Sequence, residues 1–279
     1  MGACSTPAQS ASPLRIAAWN LEHLAETGER GCRPRTDADY ADLRALATRM
    51  DADVIAFQEV ESATAAARAF DPAVYNIIME DRSRASATAF PCRGLEGRTL
   101  TFQGVGFAIR KTIAFERAGD LTALQDGDPN LRSGVDITIR RGSERPLRLL
   151  SVHLKSGCAS GSDNEACAIL NRQIPVLEQW IDARAKENTR FAVLGDFNRR
   201  LSVPGDVVWA EIDDADPPNS DLALAAGSRG PKCDPRFDSF IDHIVLDRRA
   251  TGDLIGFEEL IYDTGRRLSD HCPIVARVR

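Results

Sequence analysis

A series of short apolar runs of strand length, spread over nearly the whole chain, constrains the fold most. Runs of roughly four to eight apolar or β-branched residues bounded by turn residues are typical of buried strands. The pattern predicts strands at residues 14–20, 53–60, 104–110, 134–140, 147–154, 190–197, 239–246, 255–262 and 271–278. Several follow one another without an intervening helix, so the sequence predicts an α/β fold with mixed rather than purely parallel sheets.

Two segments between these runs have the apolar spacing of amphipathic helices. In residues 36–50 the apolar side chains share one face, and Thr36 or Asp37 is placed to cap the first turn. A second helix is predicted within residues 163–187, where Pro175 is expected either to kink the helix or to mark a boundary.

Composition places the chain among ordinary globular proteins. The 279 residues are 43% hydrophobic and 27% charged, and no run approaches the roughly 18 apolar residues of a membrane helix. The net charge of -6 argues against a dedicated DNA-binding module but not against an enzyme with a locally basic cleft or a bound metal. Residues 1–13 are predicted to be a flexible tail and residues 14–279 one domain, with long surface loops at 80–103 and 213–236.

The seven cysteines show no zinc-type spacing, which favours disulfides over a metal cluster. Cys158 and Cys167 enclose the short polar loop "CASGSDNEAC" and are predicted to be bridged. Apart from Cys4, the other four cysteines allow three pairings, and Cys272 is alternatively an unpaired thiol in the core.

The first residues, "MGACSTPAQSASP", resemble the mature end of a bacterial lipoprotein in which Cys4 carries the lipid. This predicts an exported protein that is periplasmic, anchored to the outer membrane or extracellular. The alternative is a disordered polar tail with an incidental cysteine.

Polar residues recur where the apolar runs end. They are Asn20, Glu22, Gln58, Glu59, His153, Asp196, Asn198, Asp242, Asp270 and His271. Each alone is compatible with a cap or a turn. Loops at strand ends are also where α/β scaffolds carry catalytic groups, and this set of carboxylates, amides and histidines suits phosphoryl transfer with a hard metal ion.

The motifs "WNLE", "QEV", "SVHLKSG", "GDFN", "IDHI" and "SDHCP" occur in the order typical of the endonuclease/exonuclease/phosphatase superfamily. From Leu14 to Val278 the chain resembles the relatives of deoxyribonuclease I. The resemblance implies a four-layer α/β sandwich, with two mixed sheets packed face to face and helices outside. It places the active site at one edge of the sandwich.

The resemblance also implies a metal site. Glu59 resembles the principal Mg²⁺ ligand, with Asn20 supporting it and Asp270 as a further carboxylate. Mn²⁺ or Ca²⁺ are alternative supporting ions. Asp196 and Asn198 resemble the pair that orients the attacking water and a phosphate oxygen.

The same resemblance assigns the acid–base groups. Asp242 corresponds to the carboxylate that holds His271, and His153 stands in the place of the second catalytic histidine. Arg132 is similar to an arginine that approaches the scissile phosphate. Gln103 falls near the position of a glutamate that supports the second histidine, and a neutral amide there would support His153 more weakly.

His153 also separates branches of the superfamily. The abasic-site endonucleases generally carry tyrosine at that position, which leaves two classes of substrate. The first hypothesis is a monomeric, Mg²⁺-dependent, largely nonspecific endonuclease of DNA, with RNA as the alternative polymer. The second is a sphingomyelinase-like or other phospholipid or small-molecule phosphodiesterase. The intact site argues against a non-catalytic binding module.

The other histidines and the arginines of one loop also bear on the site. His23 and His243 are expected to have structural roles. Four arginines of the 80–103 loop are predicted either to follow a phosphate backbone or to be solvated; they are Arg82, Arg84, Arg93 and Arg98.

Overall fold

Two β-sheets of six strands each pack face to face in the computed structural model, which describes residues 12–83, 88–161, 163–218, 220–262 and 266–279. The strands are β1 Leu14–Leu24, β2 Val54–Val60, β3 Tyr75–Met79, β4 Gly104–Arg110, β5 Ala114–Arg117, β6 Val135–Arg140, β7 Leu147–His153, β8 Arg190–Asp196, β9 Leu222–Leu224, β10 Asp242–Asp247, β11 Leu254–Glu259 and β12 Ile274–Val278. The helices are α1 Asp37–Met50, α2 Ala63–Ala69, α3 Glu165–Lys186, α4 Val207–Ile212 and α5 Arg248–Gly252, with a 3-10 turn at Thr122–Gln125.

The first sheet has the order β11-β12-β1-β2-β4-β3 and the second the order β5-β6-β7-β8-β10-β9. Each sheet has one parallel pair at its centre, β1 with β2 and β7 with β8, and antiparallel neighbours around it. The predicted mixed sheets are therefore confirmed. The parallel pairs matter for the site because the carboxyl ends of both strands of a pair lie at the same edge.

Apolar residues fill three layers of contact. The inner faces of the two sheets meet through side chains such as Ile16, Phe107 and Leu149, all buried. Outside the first sheet, α1 and α2 cover a cluster around Trp19; outside the second, α3 and α4 cover one around Phe191. The predicted four-layer sandwich is confirmed, since each sheet is buried on both faces.

Helix α1 begins where the sequence predicts, because Thr36 and Asp39 form a reciprocal capping box at its first turn. Helix α3 does not end at Pro175. The helix is 22 residues long and continues past the proline, which lies on its exposed side. No helix in the described part of the chain has the length and apolar character to cross a membrane.

Three disulfides link the loops: Cys32–Cys92, Cys158–Cys167 and Cys233–Cys272. The predicted bridge between Cys158 and Cys167 is present, and the sequence-based alternative of an unpaired Cys272 is wrong. Cys4 lies outside the described residues. The three bridges are consistent with an oxidising environment such as an exported protein meets.

The 80–103 segment contains more structure than a surface loop. Within its described part, Pro91 and Thr99 form an isolated antiparallel bridge, and Leu100 N donates to Phe90 O at 2.7 Å. Residues 90–100 therefore form a short hairpin. The bridge between Cys32 and Cys92 fastens this hairpin to the loop between β1 and α1.

Candidate active site

The carboxyl ends of the central strands meet at one edge of the sandwich. In the second sheet, His153 at the end of β7 and Asp242 at the start of β10 are both in register with Asp196 at the end of β8. In the first sheet, Asn20 of β1 is in register with Gln58 of β2. Because the sheets pack face to face, Asn20 Nδ2 reaches across and donates to Asp196 Oδ2 at 3.0 Å.

Asp196 is the centre of the cluster. Its Oδ2 lies 3.5 Å from His153 Nε2 and 3.8 Å from His271 Nε2. Its Oδ1 accepts the backbone N–H of Asn198 at 2.8 Å. Burial, together with the charge of Asp242, raises the pKa of Asp196, although the charge of His271 opposes the shift. A carboxylate between two imidazoles can accept a proton from a bound water or pass one on.

His271 is held by a carboxylate on its far side. Its Nδ1 donates to Asp242 Oδ2 at 2.6 Å, so Nε2 faces Asp196 and lies 3.7 Å from Asp270 Oδ1. Burial alone would lower the pKa of His271, but the charges of Asp242 and Asp196 raise it well above the usual value. The carboxylates around it therefore favour the charged form of the ring.

The loop that carries His271 is fixed by side chains outside the predicted set. Ser269 Oγ donates to Asn20 O at 2.7 Å and accepts the backbone N–H of His271 at 3.1 Å. The Tyr262 hydroxyl donates to His271 O and accepts from Trp19 Nε1 at 3.1 Å. These bonds connect the "SDHCP" loop to the end of β1.

His153 has the opposite environment. The Arg132 guanidinium contacts both ring nitrogens of His153, at 2.8 Å from Nδ1 and 2.7 Å from Nε2. Burial lowers the pKa of His153 well below its usual value, and the charge of Arg132 lowers it further. Burial and the charge of Arg132 therefore favour the neutral form of His153.

Glu59 lies across the cluster from His271. Its Oε1 accepts from Asn20 Nδ2 at 3.3 Å, and its Oε2 accepts from the backbone N–H of His23 at 3.1 Å and from Gln103 Nε2 at 3.2 Å. Gln103, expected beside His153, instead contacts Glu59 and the ring of His23. Gln103 directly precedes β4, whose first residue Gly104 pairs with Val60 at the end of β2, next to Glu59.

Left-handed backbone is concentrated here. Four non-glycine residues of the site have positive φ: Glu22 (41°), His23 (55°), Glu59 (60°) and Asn198 (52°). Such conformations cost roughly 1 kcal/mol or more each and persist where surrounding contacts impose them. One such contact is buried Arg35, whose Nη2 donates to the carbonyls of Leu21 and Glu22 at 2.7 and 2.9 Å.

The site contains donors that suit a hard divalent cation. Among the described residues, ligand atoms of Asp196, Asp242 and His271 lie within 4.8 Å of one another. The predicted ligands Glu59 and Asp270 add carboxylate oxygens, the ligand type that Mg²⁺ prefers, at 3.8 Å from His153 Nε2 and 3.7 Å from His271 Nε2 respectively. Burial raises the pKa of Glu22 and the charge of Asp270 raises it further, so these two carboxylates repel each other and a cation would relieve the repulsion. Asn20 is the exception, because its Oδ1 accepts from Glu22 N at 2.9 Å and its nitrogen faces the carboxylates.

Glu80 is a buried carboxylate that sequence reasoning missed. It accepts from Ser133 N at 2.8 Å and from Arg82 Nη2 at 3.0 Å, and its charge raises the pKa of the neighbouring Arg132 against the lowering by burial. Glu80 directly follows β3, so an acidic residue after an apolar run was the available signal. The run itself, "YNIIM", is absent from the predicted strands.

The remaining basic residues have structural positions. His243 is buried, its Nε2 donates to Arg199 O at 2.9 Å, and burial lowers its pKa to about 4. Arg82 and Arg98 donate to backbone carbonyls, Arg98 to those of residues 28 and 30, so neither lies open along a phosphate track. Arg93 is exposed, and Arg84 lies outside the described residues.

Comparison with known families matches residues 17–271 to the model of the "Endonuclease/Exonuclease/phosphatase family". The chain belongs to this family. No curated protein sequence matches it.

Solved structures of the same fold agree over nearly the whole chain. An endonuclease/exonuclease/phosphatase from Beutenbergia cavernae is 16% identical with a TM-score of 0.64, covering 96% of this chain and 72% of that one. The 3' phosphatase NExo from Neisseria, bound to a product DNA hairpin, is 15% identical with a TM-score of 0.63, covering 95% and 99%. The human Nocturnin catalytic domain is 18% identical with a TM-score of 0.61, covering 96% and 93%.

Proposed function

We propose that the protein is a Mg²⁺-dependent phosphodiesterase that hydrolyses nucleic acid, as a largely sequence-nonspecific endonuclease of DNA with RNA as the alternative polymer. The observation that carries the proposal is Asp196, set between the nitrogens of His153 and His271 at 3.5 and 3.8 Å. An enzyme that hydrolyses a phosphodiester must orient water in line and neutralise charge on the phosphate oxygens. Among the structural neighbours, NExo is bound to a DNA product and LMAP from Leishmania major is an AP endonuclease.

In the proposed mechanism each residue acts on one atom of the reaction. Asp196 orients the attacking water and accepts its proton, while Asn198 presents its amide to a phosphate oxygen. His271, held by Asp242, donates from Nε2 to a second phosphate oxygen. Binding of the phosphate anion raises the pKa of the nearby His153, which takes up a proton from solvent and then donates it to the leaving alkoxide.

Arg132 and the metal ligands complete the charge balance. Arg132 lies against His153 and donates to the scissile phosphate as the substrate enters. A divalent ion bound by Glu59 and Asp270, with Asn20 turned to offer its oxygen, would neutralise the charge that builds on the phosphate.

The environment of the enzyme is part of the proposal. Three disulfides link the loops, and such bridges persist in exported proteins. We infer an exported, monomeric enzyme, attached to a membrane surface through a lipid on Cys4. Labelling with a radioactive fatty acid, compared between wild type and Cys4→Ser, tests the attachment.

Incubation of the purified protein with plasmid DNA, RNA and sphingomyelin vesicles, each with Mg²⁺ or EDTA, tests the substrate. Nicking of the plasmid in Mg²⁺ and not in EDTA is the expected result. Release of phosphocholine from the vesicles without cleavage of either nucleic acid would replace this function with the lipid phosphodiesterase.

A further inference from the structure

A cleft of about 700 Å³ lies beside the catalytic cluster. Gln103 and Arg132 belong to both, since they line the cleft and contact Glu59 and His153 respectively. Lys155, two residues after His153, also lines it. The cleft therefore opens directly onto the position where the scissile phosphate must lie.

The walls of the cleft are built from three fastened segments. One is the hairpin at residues 90–100, the second is the loop at residues 29–31, and the third is the loop at residues 128–132. The bridge between Cys32 and Cys92 joins the first two, and Arg98 Nη2 donates across to the carbonyls of residues 28 and 30 at 2.8 and 3.0 Å. The third segment is joined to the chain just before the hairpin, because the backbone N–H of Thr88 donates to Asn130 Oδ1 at 2.7 Å.

The arginines along the cleft form ion pairs and hydrogen bonds with the segments that build its walls. Arg30 pairs with Glu61, and Arg82 pairs with Glu80 and donates to the carbonyls of Gln103 and Pro129. Proteins that follow a double helix present rows of basic side chains to successive phosphates. In this cleft Arg30, Arg82 and Arg98 are instead engaged by carboxylates or backbone carbonyls, while Arg132 and Lys155 lie beside the catalytic cluster.

Apart from its arginines and Lys155, the lining of the cleft is neutral or acidic. Phe90, an aromatic side chain that is 49% exposed, stands at the start of the hairpin, and threonine hydroxyls follow it along the wall. Asp128 and Glu29 add negative charge to the lining. A phosphate is favoured beside Arg132 and Lys155, and the aromatic ring and hydroxyl groups of the remaining lining offer a stacking surface and hydrogen-bonding groups to a base and its sugar.

We propose that this cleft binds the unpaired nucleotides next to the scissile phosphate, so that the enzyme acts on single-stranded or locally opened nucleic acid. The inference rests on the proposed function and adds to it the form of the substrate. A volume of about 700 Å³ is that of a small-ligand site and accommodates separate nucleotides. Stacking on an exposed aromatic ring is available only to a base that is not paired within a duplex.

Two substitutions and one matched control test the cleft. Thr99→Trp fills the cleft from an exposed position of the hairpin, and Phe90→Ala removes the stacking surface. Thr122→Trp makes the same replacement at an exposed threonine that does not line the cleft. Fluorescence anisotropy with a labelled oligothymidylate in EDTA measures binding without turnover, and the same strand annealed to its complement measures duplex binding.

The wild type should bind the unpaired strand more tightly than the duplex. Thr99→Trp and Phe90→Ala should each weaken binding of the unpaired strand about tenfold. Thr122→Trp should leave it unchanged, and all three variants should hydrolyse bis(p-nitrophenyl) phosphate in Mg²⁺ at the wild-type rate, since this substrate is too small to need the cleft.

Two results would overturn the cleft assignment and leave the phosphodiesterase function standing. One is that Thr99→Trp and Phe90→Ala bind the unpaired strand as tightly as the wild type does. The other is that the wild-type protein binds the duplex more tightly than the unpaired strand. The reverse result, cleft-dependent binding of the unpaired strand without hydrolysis of any phosphodiester, would overturn the proposed function and leave the binding site standing.

Discussion

At the scale of single residues, the two histidines of the site differ because their partners differ. His271 has the carboxylate of Asp242 at 2.6 Å, which favours the charged ring. His153 has the Arg132 guanidinium at 2.7 Å, which favours the neutral ring. Asp196 therefore lies between one imidazole whose partner favours the charged form and one whose partner favours the neutral form.

Replacing Glu59 with Gln should lower turnover by about 100-fold or more, because the loss of one charge weakens the proposed cation site. The fold should persist, since glutamine has the same shape and the side chain, 16% exposed, lies at the edge of the sandwich. Plasmid nicking rates and thermal unfolding measure the two effects. Wild-type turnover by the folded variant, or full activity of the native enzyme in EDTA, would contradict the metal assignment.

Alanine in place of either histidine should lower the nicking rate by about 100-fold or more, the usual size of an acid–base contribution. His271→Ala should be the more damaging, because it also leaves the buried carboxylate of Asp242 without its partner. Rates are measured across pH, with circular dichroism to verify folding. If folded His153→Ala has the native rate and pH profile, His153 has no catalytic role.

Sequence motifs could identify the residues of the site but not all their partners. "GDFN" and "SDHCP" point to Asp196 and His271 because these residue types recur together at strand ends. The contacts of Arg132 and Glu80 depend on which loops face each other across the two sheets, and no local pattern records this. For the same reason, the sequence did not indicate that Gln103 would contact Glu59 rather than His153.

At the scale of elements, the central strands were predictable, whereas the edge strands β3, β5 and β9 were not. Both partners of each parallel pair are buried on two faces, so β1, β2, β7 and β8 appear in the sequence as continuous apolar runs. The edge strands β5 and β9 have only four and three residues and are partly exposed. Such segments are too short, and differ too little in polarity from the loops around them, to be recognised from hydrophobic periodicity.

The three disulfides should differ in their contribution to stability, because they close loops of different length. The Cys32–Cys92 bridge spans 60 residues and the Cys158–Cys167 bridge spans nine. The chain-entropy model gives about 4 kcal/mol for the longer loop and about 2.5 kcal/mol for the shorter one. Paired Cys→Ser variants, unfolded in guanidinium, should rank in that order, and equal losses would show that native-state contacts outweigh the loop entropy.

At the scale of the whole molecule, the site exists only when the sandwich is closed. Asn20 and Glu59 come from the first sheet, while His153, Asp196 and Asp242 come from the second. The bond from Asn20 to Asp196 at 3.0 Å crosses between the sheets. Assembly of the site is therefore coupled to packing of the apolar inner faces of the two sheets.

That packing also makes stability depend on pH. Asp196 and Glu80 are buried with raised pKa values, so the stability they contribute is lost as the pH rises. His243 has the opposite sign. It is 2% exposed, and burial lowers its pKa to about 4 from the 6.5 of an unfolded histidine. Its contribution is therefore complete above pH 6.5 and is lost as the pH falls towards 4.

The difference between these two pKa values corresponds to about 3 kcal/mol. His243→Gln keeps a side-chain N–H for Arg199 O and removes the titration. The variant should be less stable than the wild type at neutral pH, since it loses the edge contact with Phe197. As the pH falls from neutral to 4, the free energy of unfolding of the wild type should decrease by about 3 kcal/mol relative to that of the variant. Both proteins are unfolded in guanidinium at each pH, and subtracting one free energy of unfolding from the other removes the pH dependence of the groups they share. A difference that stays constant with pH would show that His243 titrates normally in the folded protein.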